Sequence, residues 1–301
     1  MDGFFTNFSS HHLDVARGSV FARIGGHGPA LLLLHGFPQT HLMWHAVVDA
    51  LALQHTVVAA DLPGYGLSTV EADPAQIEAH SKRAMAKMLV EAMARWGFER
   101  FDVAGHDRGA RVAYRMALDH PDAVERVAVM DIVPTGDAFA AMTSRSALAL
   151  WPFIFLAQAH PFPEQVIGAN PAAVVHHCLA TWSQVRELRD AFPDEVVAQY
   201  VDSLTRPGVV HAICQEYRAA ATLDCEIDAA DRTQRRRIRQ PLLALWGRGG
   251  VVDTMYGGLA AWSEWAARPS GAAIGCGHFI PEEAPRQTQH HLLTFFDRAA
   301  A

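Results

Sequence analysis

The chain has 301 residues, half of them hydrophobic, which is enough for one large domain with a sizeable core. Its 25 Lys and Arg residues stand against 32 Asp and Glu residues, and the resulting net charge of −7 argues against a nucleic-acid-binding surface. The sequence contains no long apolar run and no signal-peptide pattern, so we expect a cytoplasmic protein that has no membrane partner.

Short apolar runs alternate with helical patterns over the first 133 residues. This alternation predicts an α/β protein with a mostly parallel central sheet flanked by helices. The predicted elements are a strand at 30–34, a strand at 56–60, a helix at 77–96, a strand at 101–104, a helix at 108–119 and a strand at 126–131.

The strand pattern stops at residue 135 and resumes at residues 241–247, and a last strand is expected before Cys276. The stretch between is rich in Trp, Phe, His and helix-forming residues. The sequence therefore predicts a core of residues 1–134 and 238–301, interrupted by a helical cap of residues 135–237. Such a cap would cover the carboxyl ends of the strands, where open α/β sheets bind ligands.

The cysteines and histidines show no metal-site spacing. Of the 17 histidines, several are immediate neighbours in sequence, and the cysteines contain no C-x-x-C pair. There is also no dinucleotide-binding or phosphate-binding glycine motif. We therefore expect reduced thiols, no metal and no organic cofactor. The cysteines are Cys178, Cys214, Cys225 and Cys276.

The most informative segment is Gly105-His106-Asp107-Arg108-Gly109, between a predicted strand and a predicted helix. A Gly-x-nucleophile-x-Gly turn in that setting exposes its central side chain at the top of the sheet. The plainer alternative is an acidic helix cap, which the helix dipole favours. A carboxylate in place of the usual serine predicts a nucleophile that is alkylated by a carbon–halogen bond or an epoxide.

Two further loops fit the same interpretation. His35-Gly36-Phe37-Pro38 follows a buried strand, where an oxyanion-hole N–H is supplied in enzymes with this turn. His278 follows the last predicted strand and is a candidate base. Asp131 and Asp253 each follow a strand, and both are candidates for the acid that orients the histidine.

Together these segments resemble the haloacetate (fluoroacetate) dehalogenases of the α/β-hydrolase superfamily, which are relatives of the soluble epoxide hydrolases. The likeness covers nearly the whole chain, and its most specific part is the pair of arginines after Asp107. The resemblance implies the α/β-hydrolase fold. The matching segments are 35–40, 60–66, 105–111, 130–135, 155–158, 217–219 and 277–279.

The resemblance implies a role for each catalytic residue. Asp107 would displace halide from a small 2-haloacid, and His278 would activate the water that hydrolyses the resulting ester. Asp131 would orient His278 and is preferred over Asp253. The backbone N–H groups of Phe37 and Arg108 would form the oxyanion hole.

Arg108 and Arg111 would clamp the substrate carboxylate. They are three residues apart and share a helix face, and a guanidinium offers a planar fork that matches a carboxylate. The alternative is a structural salt bridge to a neighbouring acid.

The chain departs from this family in the halide-binding part of the cap. The family's His-Trp pair corresponds to Pro152-Phe153, and its tyrosine to Thr222. Trp151 is displaced by two positions and should point elsewhere. Because fluoride needs hydrogen bonds to leave, these replacements predict weak fluoride release.

Four cap residues are expected to contact the substrate. Trp182 matches a tryptophan of the family's cap, Tyr217 lies in a shared segment, and Phe153 and Thr222 occupy the halide-binding positions. The expected partner is a small anionic organic substrate, and a homodimer is expected from the resemblance.

Three alternatives remain. An epoxide hydrolase would use the same Asp-His-Asp machinery but needs a proton donor, normally two cap tyrosines or a His-Tyr pair, and this cap contains the tyrosines Tyr200 and Tyr217. A ligand-binding protein on the same fold would carry a broken catalytic set. The third alternative is another carboxylate-containing substrate with a different leaving group.

Overall fold

The computed structural model describes residues 3–73 and 75–297, which form a nine-stranded sheet flanked by helices. The strands are β1 (Phe8–Val15), β2 (Gly18–Gly26), β3 (Ala30–Leu34), β4 (Thr56–Ala60), β5 (Thr69–Val70), β6 (Phe101–His106), β7 (Val124–Met130), β8 (Ile238–Gly247) and β9 (Ala266–Ile274). The helices are α1 (Val48–Ala52), α2 (Lys82–Arg95), α3 (Arg108–Asp119), α4 (Thr135–Ala140), α5 (Ser144–Ala149), α6 (Trp151–Phe155), α7 (Phe162–Ala169), α8 (Pro171–Trp182), α9 (Asp194–Thr205), α10 (Val209–Ala219), α11 (Cys225–Thr233), α12 (Val251–Tyr256), α13 (Ile280–Glu283) and α14 (Pro285–Phe296).

The sheet combines a parallel body with an antiparallel edge. Its order is β1-β2-β4-β3-β6-β7-β8-β9, and β5 pairs with β2. All pairings from β4 to β9 along this order are parallel, whereas β2 pairs antiparallel with β1, β4 and β5. The parallel body confirms the predicted fold class, while the β1–β2 hairpin was not predicted.

The central strands align their carboxyl ends at one edge of the sheet. Every residue of β3 and β6 is buried, as expected for parallel strands covered on both faces. Leu34 of β3 lies opposite Gly105 of β6, and Met130 of β7 lies opposite both His106 and Leu245. The loops that follow these strands therefore meet in one place.

Most predicted elements of the first half occur where the sequence placed them. The strands at 30–34 and 56–60 and the helix at 108–119 are confirmed. The helix predicted at 77–96 is instead a short 3₁₀ turn followed by α2. Ser81 separates the two because its backbone is extended and its side chain accepts a hydrogen bond from the Ala84 N–H, which starts a new helix.

The described residues between β7 and β8 form helices α4 to α11 and short helical turns, without a strand. We call residues 135–237 the helical segment. The predicted division of the chain into core and cap stays a prediction, and residues 1, 2 and 298–301 of the predicted core lie outside the described residues. Among the residues described, no helix is both long and apolar enough to cross a membrane.

Candidate active site

Asp107 occupies a strained turn between β6 and α3. Its backbone angles are φ 45° and ψ −114°, a combination that costs a non-glycine residue roughly 1–3 kcal/mol. The flanking glycines make the turn possible. A Cβ at Gly105 would lie 2.5 Å from the Ala110 nitrogen, and one at Gly109 would lie 2.4 Å from the His35 carbonyl oxygen. The predicted nucleophile thus has the backbone geometry of a nucleophile turn rather than of an ordinary helix cap.

The carboxylate of Asp107 is buried and ionised. The Phe37 N–H donates to its Oδ2 at 3.0 Å, which leaves Oδ1 for chemistry. Burial opposes ionisation, but the charges of His278 and Arg108 prevail and lower the pKa of Asp107. The Arg108 N–H, the second predicted oxyanion donor, makes no hydrogen bond to this carboxylate among the described residues.

His278 is held by Asp131. The His278 Nδ1 lies 2.6 Å from Asp131 Oδ2, so we assign the proton to Nδ1, which leaves Nε2 as an acceptor. Asp131 has a positive φ of 51°, and its Oδ1 accepts from the Gly247 N–H at 2.9 Å. Burial lowers the pKa of His278, but the hydrogen bond and charge of Asp131 outweigh burial and raise it.

Asp253, the other candidate acid, lies elsewhere. Its carboxylate accepts from the indole N–H of Trp246 at 2.9 Å and from the Gly249 N–H at 2.8 Å. These bonds hold the start of α12, and no contact with His278 occurs among the described residues. The structure therefore brings Asp131, and not Asp253, to the histidine.

A residue that sequence reasoning did not single out, His106, supports the same histidine. Its Nε2 lies 2.8 Å from the backbone oxygen of His278, and the two rings are 4.5 Å apart. Burial and the neighbouring His278 lower the pKa of His106 to about 3, so it is neutral. The sequence did offer a signal for this contact: His106 directly precedes Asp107 at the end of a strand, and the ends of parallel strands lie close to the loops that follow the neighbouring strands.

Asp107, Asp131 and His278 line a cavity of about 730 Å³ beneath the helical segment. Several predicted substrate-binding residues line it as well. They are Arg111, Phe153, Trp182 and Tyr217.

Arg111 presents an unoccupied hydrogen-bonding edge in this cavity. Its Nη1 donates to the Val133 carbonyl at 3.0 Å and to the Thr135 hydroxyl at 3.1 Å. Its Nε and Nη2 make no hydrogen bond with any described residue. That edge is the fork that binds a carboxylate through two parallel bonds. The arrangement fits the predicted clamp.

Arg108 is placed differently, and here the structural alternative applies. It is fully buried and absent from the cavity lining; its Nε donates to both oxygens of Glu216, at 3.1 and 3.0 Å, and its Nη2 also donates to Glu216. The carbon of its guanidinium lies 3.9 Å from the centre of the Tyr217 ring. The predicted two-arginine clamp is thus reduced to Arg111, with Arg108 as part of the support.

Glu216 is the centre of a buried charge network that the sequence did not reveal. It also contacts Lys82 of α2 and accepts from the Tyr65 hydroxyl at 3.1 Å. Burial and the neighbouring Arg108 lower the pKa of Lys82 well below its usual value. These residues are far apart in the chain, so only the fold brings them together.

Two expectations about the helical segment need correction. Thr222 is exposed, its hydroxyl donates to the Arg218 carbonyl at 2.8 Å, and it does not line the cavity. It belongs to a π-helical turn after α10, whose extra residue rotates it away. Trp151 does line the cavity. It begins the five-residue helix α6 rather than sitting within a long helix, so helical spacing did not predict its direction.

Tyr217 and Trp182 offer hydrogen-bond donors at the cavity. The Tyr217 hydroxyl makes no hydrogen bond with any described residue, and burial raises its pKa so that it stays protonated. The indole N–H of Trp182 has no partner among the described residues either, and its ring lies edge-on to His278 at 5.6 Å. The backbone N–H of His278 donates to the Trp182 carbonyl at 2.9 Å, which holds the tryptophan beside His278.

Of the described His, Cys, Asp and Glu residues, one group has metal-ligand geometry. Atoms of His160, Glu164 and His211 lie within 4.8 Å of one another. However, Arg218 already binds both oxygens of Glu164, at 2.8 and 3.1 Å. Burial of Glu164 is outweighed by this arginine, and its pKa falls to about 2. An arginine in that position competes with a metal ion, and the group lies outside the catalytic cavity.

Comparison with known proteins identifies the family of the chain. Residues 29–285 match the family model of the α/β hydrolase fold. The chain is 39% identical to a fluoroacetate dehalogenase from Burkholderia sp over 98% of its length and 96% of the relative. It is 32% identical to a soluble epoxide hydrolase from Corynebacterium sp. (strain C12), covering 90% of this chain and 91% of that protein.

A solved structure gives the same assignment. The crystal structure of an α/β hydrolase from Nostoc sp PCC 7120 superposes with a TM-score of 0.93 and 44% identity, over 98% of this chain and 99% of that one. The resemblance inferred from the sequence is thereby confirmed. The chain belongs to the α/β-hydrolase family, and both fluoroacetate dehalogenase and soluble epoxide hydrolase are among its relatives.

Proposed function

We propose that this hydrolase is a dehalogenase that converts 2-haloacids to 2-hydroxyacids. The observation that carries the proposal is Arg111, a buried cation that lines the same cavity as Asp107 and His278 and whose Nε–H has no acceptor among the described residues. A cationic fork beside a carboxylate nucleophile suits a substrate that is itself a carboxylate. The similarity to fluoroacetate dehalogenase supports the same substrate class.

The first half-reaction is a displacement at the α-carbon. Asp107 Oδ1 attacks, the new carbon–oxygen bond forms as the carbon–halogen bond breaks, and halide leaves with the electron pair. The Phe37 N–H holds Oδ2, and Arg111 holds the substrate carboxylate. The product of this step is an ester of Asp107.

The second half-reaction hydrolyses that ester. His278 Nε2 takes a proton from water, and the resulting hydroxide attacks the Asp107 carbonyl carbon. Asp131 stabilises the imidazolium that forms. The Phe37 N–H stabilises the oxyanion. The ester bond then breaks, His278 gives its proton to the departing alkoxide of the 2-hydroxyacid, and the second proton of the water leaves Asp107 for solvent, which restores the carboxylate.

The halide needs donors when it leaves, and Tyr217, Trp182 and Trp151 line the cavity with donors that have no partner among the described residues. Each such hydrogen bond contributes roughly 1–3 kcal/mol, and fluoride depends on them far more than chloride or bromide. Because Pro152 and Phe153 replace the family's His-Trp pair, we expect fluoride release to be slower than chloride release.

An epoxide hydrolase is the second candidate, supported by the relative from Corynebacterium. Epoxide opening normally needs two tyrosine hydroxyls or a His-Tyr pair. Tyr200, the second tyrosine considered, does not line the cavity; its hydroxyl donates to Glu282 at 2.8 Å and accepts from Gln39 at 3.3 Å. His177 and Tyr217 both line the cavity, but the buried cation Arg111 suits an anionic substrate better than a neutral epoxide.

The test is halide release from chloroacetate, bromoacetate and fluoroacetate, with Asp107→Asn as the inactive control and epoxides measured in parallel. A single turnover in ¹⁸O-labelled water should place the label in Asp107, because water attacks the carboxyl carbon rather than the substrate. Halide release without that label would contradict the covalent mechanism. Turnover of epoxides alone would overturn the proposal.

A further inference from the structure

The cavity is far larger than a haloacetate requires. A haloacetate has a handful of non-hydrogen atoms, whereas cavities of about 300–1,000 Å³ hold drug-sized ligands. The cavity here measures about 730 Å³. A haloacetate bound at Arg111 would leave most of that space to water, which weakens electrostatic interactions at a reacting centre.

The walls beyond the reacting groups are mainly apolar and aromatic, with the polar side chains His177, Thr181, Ser183, Gln184 and Thr254 at other positions of the lining. Trp151, Phe153 and Trp182 line them, with aliphatic contributions from Leu148, Val252 and Met255. The rings of Trp151 and Trp182 lie 6.3 Å apart, so their surfaces are continuous. Apart from the reacting groups, the charged member of the described lining is Arg145, which is exposed. Such walls favour burial of an apolar group.

The reaction geometry leaves one direction of the substrate open. The α-carbon of a 2-haloacid carries a carboxylate, a halogen and two further substituents. Arg111 holds the carboxylate, Asp107 attacks from one side, and the halogen must lie opposite the attacking oxygen. One of the two further substituents then has room along the indoles of Trp151 and Trp182, which line the same cavity; Trp182 lies 5.6 Å from the His278 ring and 6.3 Å from Trp151.

We infer that the preferred substrates are 2-haloacids with an aromatic group on the α-carbon, such as 2-chloro-2-phenylacetate, rather than haloacetates. This inference rests on the proposed dehalogenase function. A phenyl ring removed from water onto these walls should favour kcat/KM by about a hundredfold over the unsubstituted acid. Expelling water from the cavity adds to the effect.

The test compares kcat/KM for chloroacetate, 2-chloropropionate and 2-chloro-2-phenylacetate. Thr181 offers a matched pair of variants, since it lines the cavity, is exposed at the end of α8 and takes no part in catalysis. Thr181→Phe should reduce the preference for the phenyl substrate at least about tenfold while chloroacetate changes by less than about twofold. Thr181→Val should behave as the wild type.

Binding of phenylacetate and acetate, which carry no halogen, separates this inference from the proposed function. Calorimetry should give tighter binding of phenylacetate to the wild-type protein, and weaker binding after Thr181→Phe. Tight phenylacetate binding without halide release from any 2-haloacid would contradict the dehalogenase but leave the apolar subsite intact. Chloroacetate turnover that equals or exceeds turnover of the phenyl substrate would overturn the inference alone.

Discussion

The cavity has two halves that differ in how their side chains are hydrogen-bonded. The floor consists of Asp107, Asp131 and His278 at the strand ends, and each of these side chains has a specific hydrogen-bond partner. The roof consists of Trp151, Phe153, Trp182 and Tyr217 from the helical segment, and the donors of Tyr217 and Trp182 have none among the described residues. Under the proposed function, the floor carries out the reaction and the roof selects the substrate.

The largest expected effect comes from replacing His278, the proposed general base among the floor residues. His278→Gln should reduce steady-state turnover by about 10⁴-fold or more, since the ester can form but water is no longer activated. Halide release should then stop after one equivalent per enzyme, and the mass of the intact protein should rise by the carboxyalkyl group of the substrate, which is the substrate without its halogen. A variant that shows no burst and no adduct would contradict the proposed order of steps.

The next effect distinguishes the two candidate acids. Asp131→Asn should lower kcat by about 10³–10⁴-fold, because the imidazole loses its orientation and its charge partner. Asp253→Asn is the matched control and should stay within about twofold of the wild type, as its bonds run to Trp246 and Gly249. Equal losses in the two variants would remove Asp131 from the proposed mechanism.

Replacing Arg111 should mainly affect the kinetics, whereas replacing Arg108 should mainly affect the stability of the fold. Arg111→Gln should lower kcat/KM for a 2-haloacid by about 10²–10³-fold with little change in melting temperature, as it loses charge-assisted bonds to the substrate. Arg108→Gln should instead destabilise the fold by about 3–5 kcal/mol, because Glu216 is left with reduced charge compensation. Thermal unfolding of both variants beside their kinetics checks this.

The pH dependence should report on His278. Its raised pKa means that the imidazole becomes protonated as pH falls, so it can no longer accept a proton from water. Asp107, whose pKa is lowered, remains ionised over the same range. We therefore expect kcat to fall about tenfold per pH unit on the acid side. The rate of the first halide release should not follow that limb, and Asp131→Asn should move the limb to lower pH.

The smallest effect concerns the roof. Tyr217→Phe should slow halide release about tenfold, and more for fluoride than for chloride, because one hydrogen bond to the leaving group is lost. Thr222→Ala should leave both rates unchanged, since that residue faces away from the cavity. A loss of fluoride release in the Thr222 variant would show that the placement of the π-helical turn is wrong.

The same contrast explains what the sequence could predict. Asp107, Phe37 and His278 lie in short motifs directly after strands, and parallel pairing then brings their loops to one edge, so a local pattern was sufficient. Thr222 and Trp151 were misjudged because each depends on where a short helix begins or on one extra residue in a turn. Glu216 escaped notice because its partners, Arg108 and Lys82, are separated from it by more than 100 positions.

The buried network of Arg108, Glu216 and Lys82 has a consequence for how this site can evolve. Loss of Glu216 leaves Arg108 and Lys82 buried without their counter-ion, and loss of either cation leaves Glu216 with one buried cationic neighbour instead of two, so single exchanges at these positions should be strongly epistatic. Libraries that diversify the three positions one at a time would recover few folded members. Simultaneous replacement of all three by neutral residues of similar volume should give folded variants that single replacements do not, because no buried charge is then left without a partner.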